Sequence, residues 1–250
     1  MLVTKYNASG NDFVIFHTFV KKARNDLAKK LCQRQSGVGA DGLIVLVPHA
    51  EYDFEWEFYN SDGSDAQMCG NGSRAAAHYA VQNGLCGNKM RFMTLAGMIE
   101  ARVEADEAEV KLTEPKVLDS MLVGGGHKWR LIDTGVPHLV TFVDDLKAYN
   151  KEIAREMRQA HNANVNFCKI DKENKTLHVR TYERGVEDET LACGTGMAAC
   201  FYAAYQDGAV EEQSKVYPTS KEELTLSLKE GFIYFKGKVQ KVFETSIALS

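Results

Sequence analysis

Two stretches decide how this chain reads: MCGNGSRAAAHYA, from Met68 to Ala80, and ACGTGMAACFYAA, from Ala192 to Ala204. Each is Cys-Gly-x-Gly followed by small residues that build a close-packed helix. The glycines let the backbone turn tightly and leave its N–H groups uncovered. At a helix start, such N–H groups and the positive end of the helix dipole favour an anion. That anion can be the thiolate of the cysteine itself, whose pKa falls from about 8.5 in such a setting. It can equally be a substrate carboxylate. Cys69 and Cys193 lie 124 positions apart, one in each half of the chain.

The flanks repeat as well. At nearly the same offset, GNDFVIF (Gly10 to Phe16) faces GVPHLVT (Gly135 to Thr141), and DGLIVL from Asp41 faces NVNFCKI from Asn164. Phe58-Tyr59 precedes the polar loop NSDGSDAQ and Cys69, as Thr181-Tyr182 precedes ERGVEDET and Cys193. A period this long means paired domains rather than a solenoid. Periodicity places strands at Leu43 to Val47, Phe54 to Tyr59, Met90 to Thr94, Met98 to Glu104 and Ala108 to Thr113. In the second half it places them at Trp129 to Gly135, Leu139 to Phe142, Asn164 to Ile170, Leu177 to Tyr182, Leu224 to Leu228, Phe232 to Lys236 and Val242 to Leu249. Short helices are expected over Asn25 to Gln35 and Asn150 to Gln159. The linker is expected near Glu114-Pro115-Lys116, and Gly124-Gly125-Gly126 reads as a hairpin loop.

Bulk properties set outer limits. The 250 residues suffice for one large domain or two ordinary ones, and 44% hydrophobic with 26% charged residues is a globular balance. A net charge of −4 leaves no electrostatic footprint for nucleic acid. Basic residues are scattered among acids, so no membrane patch forms. The opening MLVTKYNASGNDFVIF lacks a signal-peptide pattern, and no apolar run approaches the roughly 20 residues that span a bilayer. These features point to the cytoplasm. The six cysteines include no C-x-x-C pair and are too few for a disulfide scaffold, so reduced thiols are expected. Cys32, Cys86, Cys168 and Cys200 read as small buried hydrophobes. GVGADG (Gly37 to Gly42) matches G-x-G-x-x-G but follows a helix and precedes a strand, the reverse of a dinucleotide-binding turn.

Two thiols at matched helix starts in two homologous domains suit a reaction that inverts one stereocentre. A thiolate removes an α-proton from one face and a thiol returns one to the other. Backbone N–H groups aimed at the α-carboxylate stabilise the developing enolate charge.

The segments GNDFVIF, ADGLIVL, MCGNGSRAAA, TGVPHLV, NVNF and YERG…ETLACGTG occur in an order that resembles the diaminopimelate epimerases, cofactor-independent amino acid epimerases. The resemblance implies an α/β (α+β) fold of two homologous domains related by internal duplication, each a mostly antiparallel curved sheet around a central helix. It implies an N-terminal domain of residues 1–114 with 241–250, and a C-terminal domain of residues 115–240. It makes Cys69 and Cys193 the acid/base thiols. Gly70, Asn71, Gly194 and Thr195 would bind the α-carboxylate and α-amino end. Asn11, Asn60 and Asn164 would contact substrate. Arg184 would hold the distal carboxylate, Glu183 an amino group or a catalytic hydrogen bond, and His138 a supporting place near the thiols. Arg74 reads as structural. The implied site is an interdomain cleft taking a small amino acid. No metal, no pyridoxal phosphate or other cofactor, no nucleic acid and no membrane are implied, and a homodimer is compatible.

One departure is visible. Val136 stands where the family usually has Asn, and opposite Asn11 in the internal repeat. A racemase of another amino acid, such as histidine, on the same fold is therefore the competing reading. From a different class come a non-catalytic amino acid binding protein and a thiol redox sensor.

Overall fold

The computed structural model describes residues 1–248. The first half runs β1 (Leu2–Ala8), β2 (Asn11–His17), α1 (Asn25–Cys32), β3 (Gly42–Val47), β4 (Phe54–Asn60), α2 (Gly70–Gln82), β5 (Lys89–Thr94), β6 (Gly97–Glu104) and β7 (Glu107–Lys111). It continues with β8 (Lys116–Gly124), β9 (His127–Asp133), β10 (Pro137–Phe142), α3 (Lys151–His161), β11 (Asn164–Asp171), β12 (Thr176–Glu183), β13 (Asp188–Thr190) and α4 (Gly194–Gln206). The chain closes with β14 (Gln213–Tyr217), β15 (Leu224–Lys229), β16 (Phe232–Lys238) and β17 (Gln240–Ser246). It packs into two compact units: Met1–Val110 with the segment from Gly237 onward, and Lys111–Lys236. Among the described residues no helix is long and apolar enough to cross a membrane.

In the first unit the strands lie side by side as β17-β1-β2-β3-β4-β5-β6-β7. All neighbours are antiparallel except β2–β3 and β4–β5, which are parallel and joined through α1 and α2. A parallel connection needs a crossover, and a helix supplies it. β3 reads GLIVLV and all six residues are buried, because both its faces are covered. Leu43, Val45 and Val47 join Ala28, Leu31 and Cys32 of α1 in one core cluster. The opposite face meets α2, where a side chain at Gly72 would lie 3.3 Å from Ile44 and 3.5 Å from Phe13. Every residue of α2 from Gly70 to Ala80 is buried. Alanines make this cheap: they carry no side-chain entropy into the helix and let β1, β2, β3 and β6 pack around it.

The second unit repeats the plan as β8-β9-β10-β11-β12-β14-β15-β16, again parallel only at β10–β11 and β12–β14. α3 starts on Asn150, whose side chain accepts from the Glu152 and Ile153 N–H groups, a cap worth about 1 kcal/mol. It covers one face with Trp129, Leu139, Val165 and Phe167. α4 packs on the other, against β9, β10, β11, β12 and β14. Arg130 donates to the Ala203 carbonyl at 3.2 Å and binds the Asp207 carboxylate, placing a cation at the C-terminal end of α4 where the dipole favours it.

Several local expectations need correction. α1 stops at Cys32 rather than Gln35 because the amides of Val38, Gly39 and Ala40 bond the Leu31 and Cys32 carbonyls. Lys116 starts strand β8 instead of lying in a linker. β8 is exposed over most of its length, so it carries no burial alternation to reveal it. β13 and β14 are further strands that periodicity does not place. The final strand spans Gln240–Ser246; Leu249, its expected end, lies outside the described residues, as does Ser250. The triglycine does sit in a hairpin, with Gly125 and Gly126 at φ of 56° and 78° joining β8 to β9.

Candidate active site

Each unit gathers its sequence-predicted residues at one end of its sheet. In the first, Cys69 is the N-cap of α2, and its sulfur accepts from the Gly72 N–H at 3.4 Å. Asn11 opens β2, Asn60 closes β4, and Gly42, opposite Asn60 on β3, is paired with Phe13. The Cys69 thiol donates to Asn11 Oδ1 at 3.6 Å. Asn11 is turned this way because its Nδ2 donates to Asp41 Oδ2 at 2.7 Å. Asp41 is in turn held by Arg34 at 2.7 Å, and Arg34 also clamps Asp12. Burial pushes the Asp12 carboxyl up, but Arg34 and Lys5 outweigh it and hold it down at about 2. Asn60, at the same end of the sheet, is exposed, with its amide on Ser64 at 3.0 Å. Asn71 is buried and accepts from Arg74 at 2.9 Å. Arg74, fully buried, also bonds Ser9 and the Lys238 carbonyl. The Asn71 side-chain oxygen thus serves the Arg74 anchor.

In the second unit Cys193 caps α4 and is 8% exposed. Its sulfur lies 3.6 Å from Thr195 Oγ1, and that oxygen is 2.9 Å from His138 Nε2. His138 is wholly buried, and burial, with the Arg184 charge added, pushes its pKa down to about 3. It is a neutral ring at physiological pH. Asn164 pairs with His138 across β10–β11, and its Oδ1 accepts from the Arg184 N–H at 2.8 Å. The Arg184 guanidinium donates to the Asn162 carbonyl at 3.0 Å. Glu183 accepts from the Thr190 hydroxyl at 2.8 Å. Gly194 sits under Phe235, 2.9 Å from where a Cβ would be. Val136 is half-buried in the turn before β10, and its carbonyl accepts from Thr134 N–H.

The remaining cysteines differ in kind. Burial raises the Cys32 thiol to about 12 and Cys86 to about 11, and raises Cys200, in contact with Cys168, well above its usual range. None of these three ionises readily. Among the described residues no cluster of three or more His, Cys, Asp or Glu is placed to hold a metal ion.

Sequence reasoning did not single out Asp41, Asn166 or Thr181. Asn166 is fully buried on β11 and bonds His138, Leu139 and Thr181. The available signal was alternation: Asn164 and Asn166 share one strand face. Gly196 makes room for this amide, since a Cβ there would stand 2.4 Å from Asn166 Oδ1 and 3.2 Å from Thr181 Oγ1. Gly196→Ala is therefore expected to destabilise the protein by about 1–3 kcal/mol through overpacking. Urea unfolding read as a midpoint shift checks it; an unchanged midpoint would mean the amide moves aside freely.

The family model for diaminopimelate epimerase matches residues 3–118 and 130–242. The chain is 61% identical to the diaminopimelate epimerase of a Nitratiruptor species, over 98% of each chain. It is 53% identical to that of Campylobacter lari, over 96% of each. It is 42% identical to that of Helicobacter pylori, over 100% of this chain and 97% of the relative. Among solved structures, a probable proline racemase from Agrobacterium radiobacter superposes with a TM-score of 0.76 at 14% identity, covering 100% of this chain and 93% of that one. A hydroxyproline epimerase from Agrobacterium vitis gives 0.74 at 14% identity, covering 98% and 91%. These distant structures share the fold. With the family model matched in both halves and relatives this similar over nearly their whole length, the chain belongs to the diaminopimelate epimerase family.

Proposed function

We propose that this protein converts LL-2,6-diaminopimelate to the meso isomer with Cys69 and Cys193 as its two acid/base groups. The observation that carries the reading is the matched pair of thiols: each caps the buried helix of its own unit, at the same point of the same strand order. One thiolate takes the α-proton as the C–H bond breaks, and the other thiol supplies a proton as a C–H bond forms on the opposite face. The carbon is neither oxidised nor reduced. Charge developing on the α-carboxylate meets the first-turn N–H groups of α2 and α4, at Gly70, Asn71, Gly194 and Thr195, which have no partner within their helices.

In this reading Asn11, Asn60 and Asn164 contact the substrate. Arg184 holds the distal carboxylate, and Glu183 an amino group or a catalytic hydrogen bond. His138 supports Cys193 through Thr195. The two units descend from one duplicated domain, the division assigning residues 1–114 with 241–250 and residues 115–240. The partner is a small amino acid, the setting is cytoplasmic lysine and peptidoglycan precursor synthesis, and a homodimer is compatible with this reading.

The test is incubation of the reduced protein with LL-diaminopimelate in D₂O, followed by NMR. Formation of the meso isomer with deuterium at the inverted carbon is expected. If no exchange occurs with the thiols confirmed reduced, the substrate assignment fails. Val136 would then direct attention to histidine and other amino acids that lack the distal group of diaminopimelate.

A further inference from the structure

Behind Cys193 runs a chain of hydrogen bonds whose direction can be read end to end. Asn166 Nδ2 lies 2.9 Å from the Leu139 carbonyl oxygen and 3.2 Å from His138 Nδ1. A carbonyl oxygen only accepts, so the atom facing it must be the amide nitrogen. That settles the rotation of the amide, and the Thr181 hydroxyl donates to the remaining oxygen at 2.8 Å. The same nitrogen spends its second hydrogen on His138 Nδ1. A ring nitrogen that accepts carries no proton, and a neutral imidazole carries one, so the proton of His138 resides on Nε2. Nε2 is 2.9 Å from Thr195 Oγ1, which therefore accepts. The hydrogen of the Thr195 hydroxyl is left to turn toward Cys193 Sγ, 3.6 Å away.

We infer that Asn166, clamped by Leu139 and Thr181, is a positioning residue for the reaction: by fixing the tautomer of His138 it aims the Thr195 hydroxyl hydrogen at the Cys193 sulfur and favours the thiolate there. The inference rests on the reading of Cys193 as a reacting thiol. It assigns a role to buried side chains two hydrogen bonds removed from Thr195. It also separates the two thiols. Cys69 donates to the amide oxygen of Asn11 while its sulfur accepts from the Gly72 backbone N–H, whereas Cys193 faces a side-chain hydroxyl turned to donate.

Histidine-labelled protein and long-range ¹⁵N–¹H NMR test this directly. His138 is assigned by the signal lost in His138→Gln. Wild-type His138 is expected as the neutral Nε2–H form; an Nδ1–H form overturns the inference without any variant. Asn166→Asp reverses the chain. A carboxylic acid hydroxyl can donate to the Leu139 carbonyl while its oxygen accepts from Nδ1–H, so Nε2 becomes the acceptor and Thr195 turns away from the sulfur. The His138 signal should switch to Nδ1–H, and kcat should fall about 10- to 100-fold, the loss of one hydrogen bond to a charged group, with KM little changed. A folded Asn166→Asp that keeps Nε2–H but loses activity would show a merely structural role. A switched tautomer with unchanged kcat would overturn the link to Cys193. Failure of the diaminopimelate reading would instead appear in wild type as absent turnover, leaving the tautomer measurement intact.

Discussion

Cys69→Ala and Cys193→Ala are each expected to lose inversion of diaminopimelate by about 10²–10⁴-fold, the usual contribution of a positioned acid or base. The two losses should differ in one informative respect. Each variant keeps one thiol, and that thiol still reaches the α-hydrogen of the isomer presented to it. Slow exchange with solvent deuterium should persist with a single stereoisomer, return the deuterium to the same face, and concern opposite isomers in the two variants. Affinity for diaminopimelate by calorimetry should change by only a few-fold, because the groups proposed to hold the carboxylate at both helix starts are backbone N–H. If both variants exchange the same isomer, one thiol serves both faces and the two-base reading is lost. A binding protein would show wild-type affinity with no exchange in any form, and a redox sensor would respond to oxidant rather than to substrate.

The second large effect concerns stability. His138 has a folded pKa of about 3, lowered first by burial and then by Arg184, against about 6.5 in an unfolded chain. Above pH 6.5 neither state binds the proton and the full stability is present. As pH falls below 6.5 the unfolded chain takes up a proton that the buried ring refuses, so stability drops toward pH 3. The slope is about 1.4 kcal/mol per pH unit from this one group. Urea midpoints of wild type and His138→Gln between pH 7 and 4.5 isolate it, since the carboxylates cancel in the difference. Wild type should weaken faster on acidification, and the glutamine, which still offers Thr195 a donor, should flatten the curve. Parallel curves would mean that the ring accepts a proton in the folded state.

What the sequence displayed and what it hid follow from physical range. The helices after Cys69 and Cys193 were legible because glycine then alanine is a local signal. β3 was legible because burial on both faces makes an unbroken apolar run. β8 was not, since most of its residues are exposed and an edge strand need not alternate. Three-residue β13 is too short to show a period. Asn166 and Asp41 were missed for another reason. Their importance comes from what stands across β10–β11 or at the start of β2, and such pairings join residues that are distant along the chain. ADGLIVL stood out as a segment of the family resemblance, and the structure shows its aspartate turning the Asn11 amide.

β17 has a consequence for how the protein is made. Leu2 pairs with Ser246 and Asn7 with Gln240, so during synthesis β1 waits for a strand made only after the whole of the second unit. The unit from Lys111 to Lys236 is continuous and can complete its sheet during synthesis. The other cannot: until β17 emerges, β1 presents a bare edge, and open edges invite pairing with other chains. Closing so long a loop adds only a slowly growing entropy cost to stability, but contacts this distant in sequence slow folding. β1 thus finds its full complement of neighbours only after the unit that follows it in sequence is already complete.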